Sequence, residues 1–189
     1  MLEGIKKMFR HVKYGSIGVN SHIFNPYTVS HPQSVFVGDN TTILDNAEIR
    51  LYPERTGYNN KITIGDHCYS RENLTIIGGG DVTIGSGCLF AKNVSIASSN
   101  HGMDPESDVY YMDQPLLLGN VKIGDGCWLG EDVLVLPGKT IGKKCIIGAG
   151  SVVAHDIPDY SIAVGNPARV VKKWDFEKHE WEKVSVNSN

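Results

Sequence analysis

The chain has 189 residues, of which 41% are hydrophobic and 21% are charged. Its 18 lysines and arginines stand against 21 aspartates and glutamates, for a formal net charge of −3. This length fits one soluble globular unit with a short appendage, and the charge balance lacks the positive field of a nucleic-acid binder. We find no apolar run near the roughly 20 residues of a membrane span and no secretory signal pattern. We therefore expect a cytoplasmic protein.

The first predicted element is an N-terminal segment, residues 1–14. Apolar residues recur at helical spacing in LEGIKKMFRHVK, with lysines and an arginine between them. Repetitive folds need their open ends covered. We expect a short amphipathic helix that caps the fold following it.

A six-residue repeat fills most of the remaining chain. Stepping by six from Ile123 gives an aliphatic residue every time as far as Val153, and looser runs with the same step begin at Ile17. Glycine often follows the aliphatic residue, as at Gly124 and Gly142. A period of six fits neither a helix nor a long strand, but it fits a short strand and a bend, repeated many times.

The four cysteines share one place in this repeat. Each stands four positions after an aliphatic residue, where an extended strand turns its side chain inward; they are Cys68, Cys88, Cys127 and Cys145. Free cysteine behaves as a small buried hydrophobe, and no CxxC pair offers zinc or redox chemistry. We expect core-packing thiols.

Two segments interrupt the repeat, LYPERTGYNNK at 51–61 and a longer one at 102–120. Both read as loops projecting from a rigid scaffold, where function tends to reside. After the last repeats, the tail 171–189 carries three aromatic residues. A strand pair and a short helix are both compatible with that tail, which we expect to pack on the scaffold or on a neighbouring subunit.

The motifs IGSGCL, IGDGCW, IGKKCI and IGAGSV resemble those of the hexapeptide-repeat acyltransferases. The resemblance covers roughly residues 17–170 and implies an all-β fold, a left-handed parallel β-helix with three strands in each coil of 18 residues. The expected organisation is a capping helix at 1–14, a β-helix acyltransferase domain at 15–170 with the insertion 102–120, and the tail 171–189. Handedness comes from the resemblance alone, because spacing does not determine it.

His101 matches the general base of galactoside and maltose O-acetyltransferases, which opens the long loop after a coil. The resemblance implies that His101 removes the proton from an acceptor hydroxyl as that hydroxyl attacks acetyl-CoA directly, in an O-acetyltransferase acting on a sugar or glycan. Three alternatives stay open: another small acceptor such as serine or a streptogramin-type antibiotic, N-acetylation of an amino sugar, and a noncatalytic β-helix scaffold.

The resemblance also implies a binding site for acetyl-CoA as co-substrate, at the border of two subunits of a homotrimer. Ala149 in GAGS falls where the family backbone meets the pantetheine arm, and Glu131 falls where relatives carry a small residue that touches CoA. Arg169 in NPAR and Lys172 match basic residues that meet the CoA phosphates, although lysine grips a phosphate less well than arginine does.

The acceptor site departs from the family pattern. Arg71 stands where the galactoside and maltose enzymes carry an asparagine, so we expect a negatively charged or larger acceptor, such as an acidic glycan or a nucleotide-linked sugar. Asn100 is a candidate for orienting the imidazole or the acceptor.

A γ-type carbonic anhydrase is the competing enzyme class with this fold. It needs two histidines five positions apart, and no two of the seven histidines have that spacing. We therefore expect no metal site.

Overall fold

The chain folds as a succession of short β-strands, most of them two to four residues long, separated by turns. The computed structural model describes residues 13–184. The strands up to residue 100 are β1 (Ser16–Ile17), β2 (His22–Ile23), β3 (Thr28–Val29), β4 (Val35–Val37), β5 (Thr42–Ile43), β6 (Glu48–Leu51), β7 (Ile62–Ile64), β8 (Tyr69–Ser70), β9 (Thr75–Gly78), β10 (Val82–Ile84), β11 (Leu89–Phe90), β12 (Ser95–Ala97) and β13 (Ser99–Asn100).

The later strands complete the fold. They are β14 (Leu117–Leu118), β15 (Val121–Ile123), β16 (Trp128–Leu129), β17 (Leu134–Val135), β18 (Thr140–Ile141), β19 (Ile146–Ile147), β20 (Val152–Val153), β21 (Ser161–Val164), β22 (Arg169–Asp175) and β23 (Glu180–Lys183). The described residues also include a short helix, α1 (Pro53–Thr56), and 3₁₀ turns at Pro32–Ser34 and Tyr111–Asp113. No helix among residues 13–184 combines the length and the apolar character that crossing a membrane requires.

Three sheets form the faces of a prism. Sheet A has the order β1-β4-β7-β10-β15-β18, sheet C the order β3-β6-β9-β12-β17-β20, and sheet B runs β2-β5-β8-β11-β16-β19-β21-β22-β23. The coil strands pair in parallel with the strand one coil further on, as β7 does with β10. The expected fold class, a left-handed parallel β-helix, is confirmed.

The coils differ in length at one corner of the prism. Lys122 pairs with Thr140, 18 positions on, as expected, but Thr63 pairs with Thr83, 20 positions on. The additional residues lie between sheet C and sheet A, in the segment after β9. Both insertions lie at this same corner. The insertion 51–61 lies one coil before the glycine run Gly78–Gly80, and the insertion 102–120 lies one coil after it. The prism therefore concentrates its irregular chain along one edge.

The interior is a continuous apolar column. Ile64, Ile84, Ile123 and Ile141 stack in successive coils of sheet A and are each at most 2% exposed. Burying one such side chain contributes about 1.5–3 kcal/mol. All four cysteines are free thiols buried in the same column, which confirms their expected packing role.

The presence of glycine after the aliphatic residue of the repeat has a steric explanation. A Cβ on Gly124 would stand 2.6 Å from the backbone nitrogen of Lys143 in the next coil, and a Cβ on Gly65 would stand 2.7 Å from the carbonyl carbon of Gly85. Such distances are too short for any side chain, so these positions require glycine because successive coils approach so closely.

The expectations for the two ends of the chain have different outcomes. The expected capping helix at 1–14 falls almost wholly outside the described residues. The tail forms a strand pair: β22 and β23 are antiparallel, and Trp174 faces Trp181 with ring centroids 5.3 Å apart in an edge-to-face arrangement. Because β22 begins at Arg169 and pairs with β21, the tail continues sheet B beyond the last coil.

Candidate active site

His101 lies at the edge of the prism where sheet C ends. It directly follows β13, whose residues Ser99 and Asn100 pair in antiparallel fashion with Leu118 and Leu117 of β14. This two-residue ladder closes the longer insertion into a hairpin-like loop. The loop leaves the prism and returns to it beside the same histidine.

The imidazole of His101 is exposed and hydrogen-bonded through one nitrogen. Its Nδ1 atom lies 3.2 Å from the carbonyl oxygen of Tyr111. A carbonyl oxygen only accepts, so Nδ1 carries a proton in this arrangement, and in the neutral ring the free lone pair is then on Nε2. A histidine held in this tautomer is equipped to remove a proton from a bound hydroxyl.

A buried glutamine gives the loop a fixed shape. Gln114 is 4% exposed; its Oε1 accepts from the Asp104 backbone N–H at 3.0 Å, and its Nε2 donates to the carbonyl oxygens of Asp104 at 2.9 Å and Val109 at 3.3 Å. Gln114 was not among the residues predicted from sequence, since a Gln-Pro pair at the end of a loop carries no distinctive signal. Gln114 therefore holds the loop in a defined structure, in which the turn places the Tyr111 carbonyl beside His101.

Two cavities meet at His101. One, of about 440 Å³, is lined by Asn100, His101, Gly102, Met103 and Tyr111. The other, of about 300 Å³, adds Tyr52 and Arg55 from the shorter insertion together with Ile77, Ser99 and Leu116. Asn100 and His101 line both cavities, and Tyr52 and Arg55 of the shorter insertion, which no sequence pattern singles out, line the second.

The residues predicted to bind CoA lie elsewhere. Glu131 and Ala149 line one cavity of about 420 Å³, with Trp128 and the glycines Gly130 and Gly148 among its walls. Arg169 lines a separate cavity of about 270 Å³. Lys172 is half-buried on β22, opposite Ile162.

Arg71 stands apart from His101 within one chain. Its Nε lies 3.3 Å from the Glu72 carboxylate, and its backbone N–H donates to Phe90 in the next coil. Arg71 lines neither cavity beside His101. Its role in acceptor binding stays a prediction.

The His101 cavities and the Ala149 cavity lie at opposite edges of sheet C. Gly130 and Gly148 follow strands of sheet B and precede strands of sheet C, whereas His101 follows the sheet C strand β12. One side of sheet C therefore carries the candidate base, and the other carries an apolar groove.

Among residues 13–184, no group of three or more histidine, cysteine, aspartate or glutamate side chains is arranged to hold a metal ion. The chemistry that the described side chains can supply at the edge of sheet C is proton transfer through His101 and hydrogen bonding through its neighbours. The titratable side chains of both His101 cavities come from the two insertions or from His101 itself.

Comparison with known proteins yields related sequences and folds. Residues 120–155 match the family model described as bacterial transferase hexapeptide (six repeats). The galactoside O-acetyltransferase of Escherichia coli (strain K12) is 34% identical over 164 residues, which are 84% of this chain and 77% of that protein. The protein YJL218W of Saccharomyces cerevisiae is 40% identical over 116 residues, which are 61% of this chain and 58% of the yeast protein.

Among solved structures, the hexapeptide-repeat acetyltransferase VCA0836 of Vibrio cholerae, complexed with acetyl-CoA, superimposes with a TM-score of 0.63. It is 22% identical, and the match covers 86% of this chain and 72% of that one. This likeness concerns the fold.

Proposed function

Because the chain belongs to the hexapeptide-repeat acetyltransferases, we propose that it transfers an acetyl group from acetyl-CoA to a hydroxyl group of a sugar or glycan. The similarity to the galactoside O-acetyltransferase of E. coli, which extends over 84% of the chain, supports a sugar acceptor and an oxygen nucleophile. We place this reaction in the cytoplasm, as a step of polysaccharide biosynthesis, and the four free thiols agree with a reducing compartment.

The hydrogen bond between His101 Nδ1 and the Tyr111 carbonyl is the observation that carries this proposal. His101 Nε2 removes the proton from the acceptor hydroxyl, whose oxygen attacks the thioester carbonyl carbon. When the carbon–sulfur bond breaks, the protonated imidazole returns that proton to the departing sulfur. The Tyr111 carbonyl keeps the ring oriented throughout and stabilises the charged imidazolium that forms between the two steps.

The apolar groove at the other edge of sheet C fits the pantetheine arm of acetyl-CoA. Trp128 and Ile146 provide apolar walls on either side of Gly130 and Gly148. Glu131 and Ala149 line the groove, in agreement with the positions inferred for CoA contacts. Arg169, exposed beyond the last coils, supplies a charge for the phosphates.

We propose a homotrimer, because one chain holds the base and the groove at opposite edges of sheet C. Packing the edge of one copy against the other edge of the next would complete a site between them. A row of apolar side chains on the outer face of sheet B supports such packing: Tyr69, Leu89 and Trp128 are adjacent in register and 41%, 41% and 49% exposed. Rows of this kind mark interaction surfaces.

The proposed function is tested by measuring thiol release from acetyl-CoA with a panel of galactosides, maltose, amino sugars, acidic glycans and nucleotide-linked sugars. We expect turnover with at least one sugar and a product that alkaline hydroxylamine cleaves, as it cleaves an ester. A hydroxylamine-stable amide would replace O-acetylation by N-acetylation. Absence of turnover with every acceptor, in protein that binds acetyl-CoA, would favour a noncatalytic scaffold.

The same panel tests the acceptor class that Arg71 suggests. If Arg71 binds a negatively charged acceptor, Arg71→Ala should raise the KM for an acidic glycan or a nucleotide-linked sugar and leave the KM for neutral galactosides unchanged. Unchanged KM values for every acidic acceptor would refute that role.

A further inference from the structure

The two insertions, separate in sequence, meet in space at the candidate active site. In the shorter insertion, Arg55 lies on α1 and donates a hydrogen bond from Nη2 to the carbonyl oxygen of Met112, at 2.7 Å. Met112 belongs to the longer insertion, in the 3₁₀ turn Tyr111–Asp113. The residue before it, Tyr111, accepts the hydrogen bond from His101.

The shorter insertion is firmly attached to the prism. Tyr58 donates its hydroxyl hydrogen to the Asp81 carboxylate at 2.9 Å. The buried Asn60 donates through Nδ2 to the carbonyl oxygens of Gly78 and Gly80, both at 3.1 Å. Because these bonds tie the segment to the next coil, α1 forms a fixed support against which a loop can be held.

The glycine run between the two insertions makes room for their contact. A Cβ on Gly79 would stand 2.6 Å from Cγ2 of Thr56 and 2.6 Å from Cδ2 of Leu118. One of these side chains belongs to the shorter insertion and the other to the longer insertion. Because Gly79 has no side chain, both insertions can pack against the coil between them.

Arg55 is not needed to hold the fold together. Its side chain is exposed, and α1 is a single turn at the surface. Within residues 13–184, no ion pair joins Arg55 to a carboxylate within 4.0 Å. Its guanidinium donates the hydrogen bond to Met112 in the longer insertion, and Arg55 and His101 line the same cavity.

We propose that Arg55 is a positioning residue for the general base, an inference that rests on the proposed function. Arg55 holds the carbonyl of Met112, so the adjacent Tyr111 carbonyl stays where it accepts the Nδ1 proton of His101, and Nε2 keeps its lone pair for the acceptor hydroxyl. The internal bonds of Gln114 preserve the shape of the loop, whereas Arg55 fixes its position against the prism.

The test compares Arg55→Ala with a matched control on the same helical turn. Glu54→Gln changes a side chain that lies 3.7 Å from His31 and lines neither of the cavities beside His101. Arg55→Ala should lower kcat about tenfold, the effect of losing one charge-assisted hydrogen bond, with the KM for acetyl-CoA unchanged. Arg55→Lys should recover part of the loss, and Glu54→Gln should match the native protein.

A spectroscopic measurement tests the inference independently of turnover. In protein labelled with ¹⁵N-histidine, the ring nitrogens of His101, assigned by comparison with His101→Ala, should report a proton on Nδ1. In Arg55→Ala they should shift toward a mixture of the two tautomers, and in Glu54→Gln they should not. Identical ¹⁵N shifts in Arg55→Ala and native protein would overturn the role of Arg55.

The two measurements separate this inference from the proposed function. Loss of the Nδ1 proton signature in Arg55→Ala supports the positioning role even if no acceptor in the panel is acetylated. Full kcat in Arg55→Ala with a working acceptor contradicts the role and leaves the acetyltransferase assignment intact. A decrease in kcat of the same size in Glu54→Gln also contradicts it, because the effect would then belong to the insertion as a whole.

Discussion

The thiol of Cys127 donates a hydrogen bond to the carbonyl oxygen of Gly142, one coil further on, with Sγ and O 2.9 Å apart. The same bond joins Cys68 to Gly85 and Cys88 to Gly124, and the Thr41 hydroxyl makes the equivalent bond to Gly65. A small side chain that can also donate a hydrogen bond is therefore favoured at this inward-facing position of the repeat. The cysteine side chains thus form hydrogen bonds between successive coils.

These buried thiols should be unreactive in the native protein. Hydrogen bonding between stacked thiols shifts their pKa values in both directions: contact with Cys145 raises the pKa of Cys127 and contact with Cys88 raises that of Cys68, whereas contact with Cys127 lowers the pKa values of Cys88 and Cys145. A disulfide reagent must reach the sulfur to react with it, and all four side chains are buried in the interior column. We expect no rapid reaction with Ellman's reagent between pH 7 and 9, and four equivalents after unfolding in denaturant. Rapid labelling of native protein, increasing with pH, would show a reactive thiolate.

Asn60 should be a major contributor to stability at the corner where the insertions meet. Its side chain is 1% exposed and satisfies two backbone carbonyls. Asn60→Ala should reduce the free energy of unfolding by about 1 kcal/mol, because the loss of two hydrogen bonds in a buried site is partly offset by removal of Oδ1, which is buried without a partner among the described residues. Urea unfolding followed by circular dichroism at one protein concentration measures this, with the exposed neighbour Asn59→Ala as control. Equal midpoints for the two variants would contradict the prediction.

The apolar row on sheet B should be part of the trimer contact. Leu89 lies between Tyr69 and Trp128 in register, so Leu89→Arg would place a charge in the middle of the packed surface. Light scattering should show trimers for the native protein and monomers for this variant. Thr83→Arg, on the outer face of sheet A in the same coil, should remain trimeric. A trimeric Leu89→Arg protein would exclude this row from the interface.

Arg169 should act on acetyl-CoA binding rather than on chemistry. Arg169→Ala should raise the KM for acetyl-CoA roughly tenfold, because a charge-assisted bond to phosphate is lost, while kcat at saturation stays near the native value. Lys173→Ala provides a control, since its side chain leaves the opposite face of β22 from that of Lys172. A reduced kcat with unchanged KM would contradict this assignment.

The repeat was recognisable from sequence because its determinants are local. Aliphatic residues spaced by six and the glycines after them are imposed by stacking of adjacent coils, as Gly124 against Lys143 illustrates. The additional residues of the earlier coils were less visible, since they lie at one corner and leave the spacing between the sheet A and sheet B strands unchanged. The strand pair of the tail depends on contacts between Trp174 and Trp181, which periodicity does not indicate.

The candidate site was predictable where it follows the repeat and not where it depends on loops. His101 and Asn100 were candidates because they directly follow a coil and open the longer insertion, whereas Ala149 and Glu131 were candidates only through the resemblance to the hexapeptide-repeat family. Arg55 and Tyr111 meet at His101 only through the folded geometry of two insertions 40 or more residues apart in sequence, and no local pattern encodes that meeting.

We propose His101 as the general base for acetyl transfer. The most direct measurement is kcat for His101→Ala beside the native protein, with an acceptor that the native protein acetylates and with acetyl-CoA saturating. His101 is exposed, so the variant should fold and bind acetyl-CoA normally. We expect kcat to decrease about 10²- to 10⁴-fold, the usual contribution of general base catalysis. A variant that transfers acetyl groups at the native rate would contradict it.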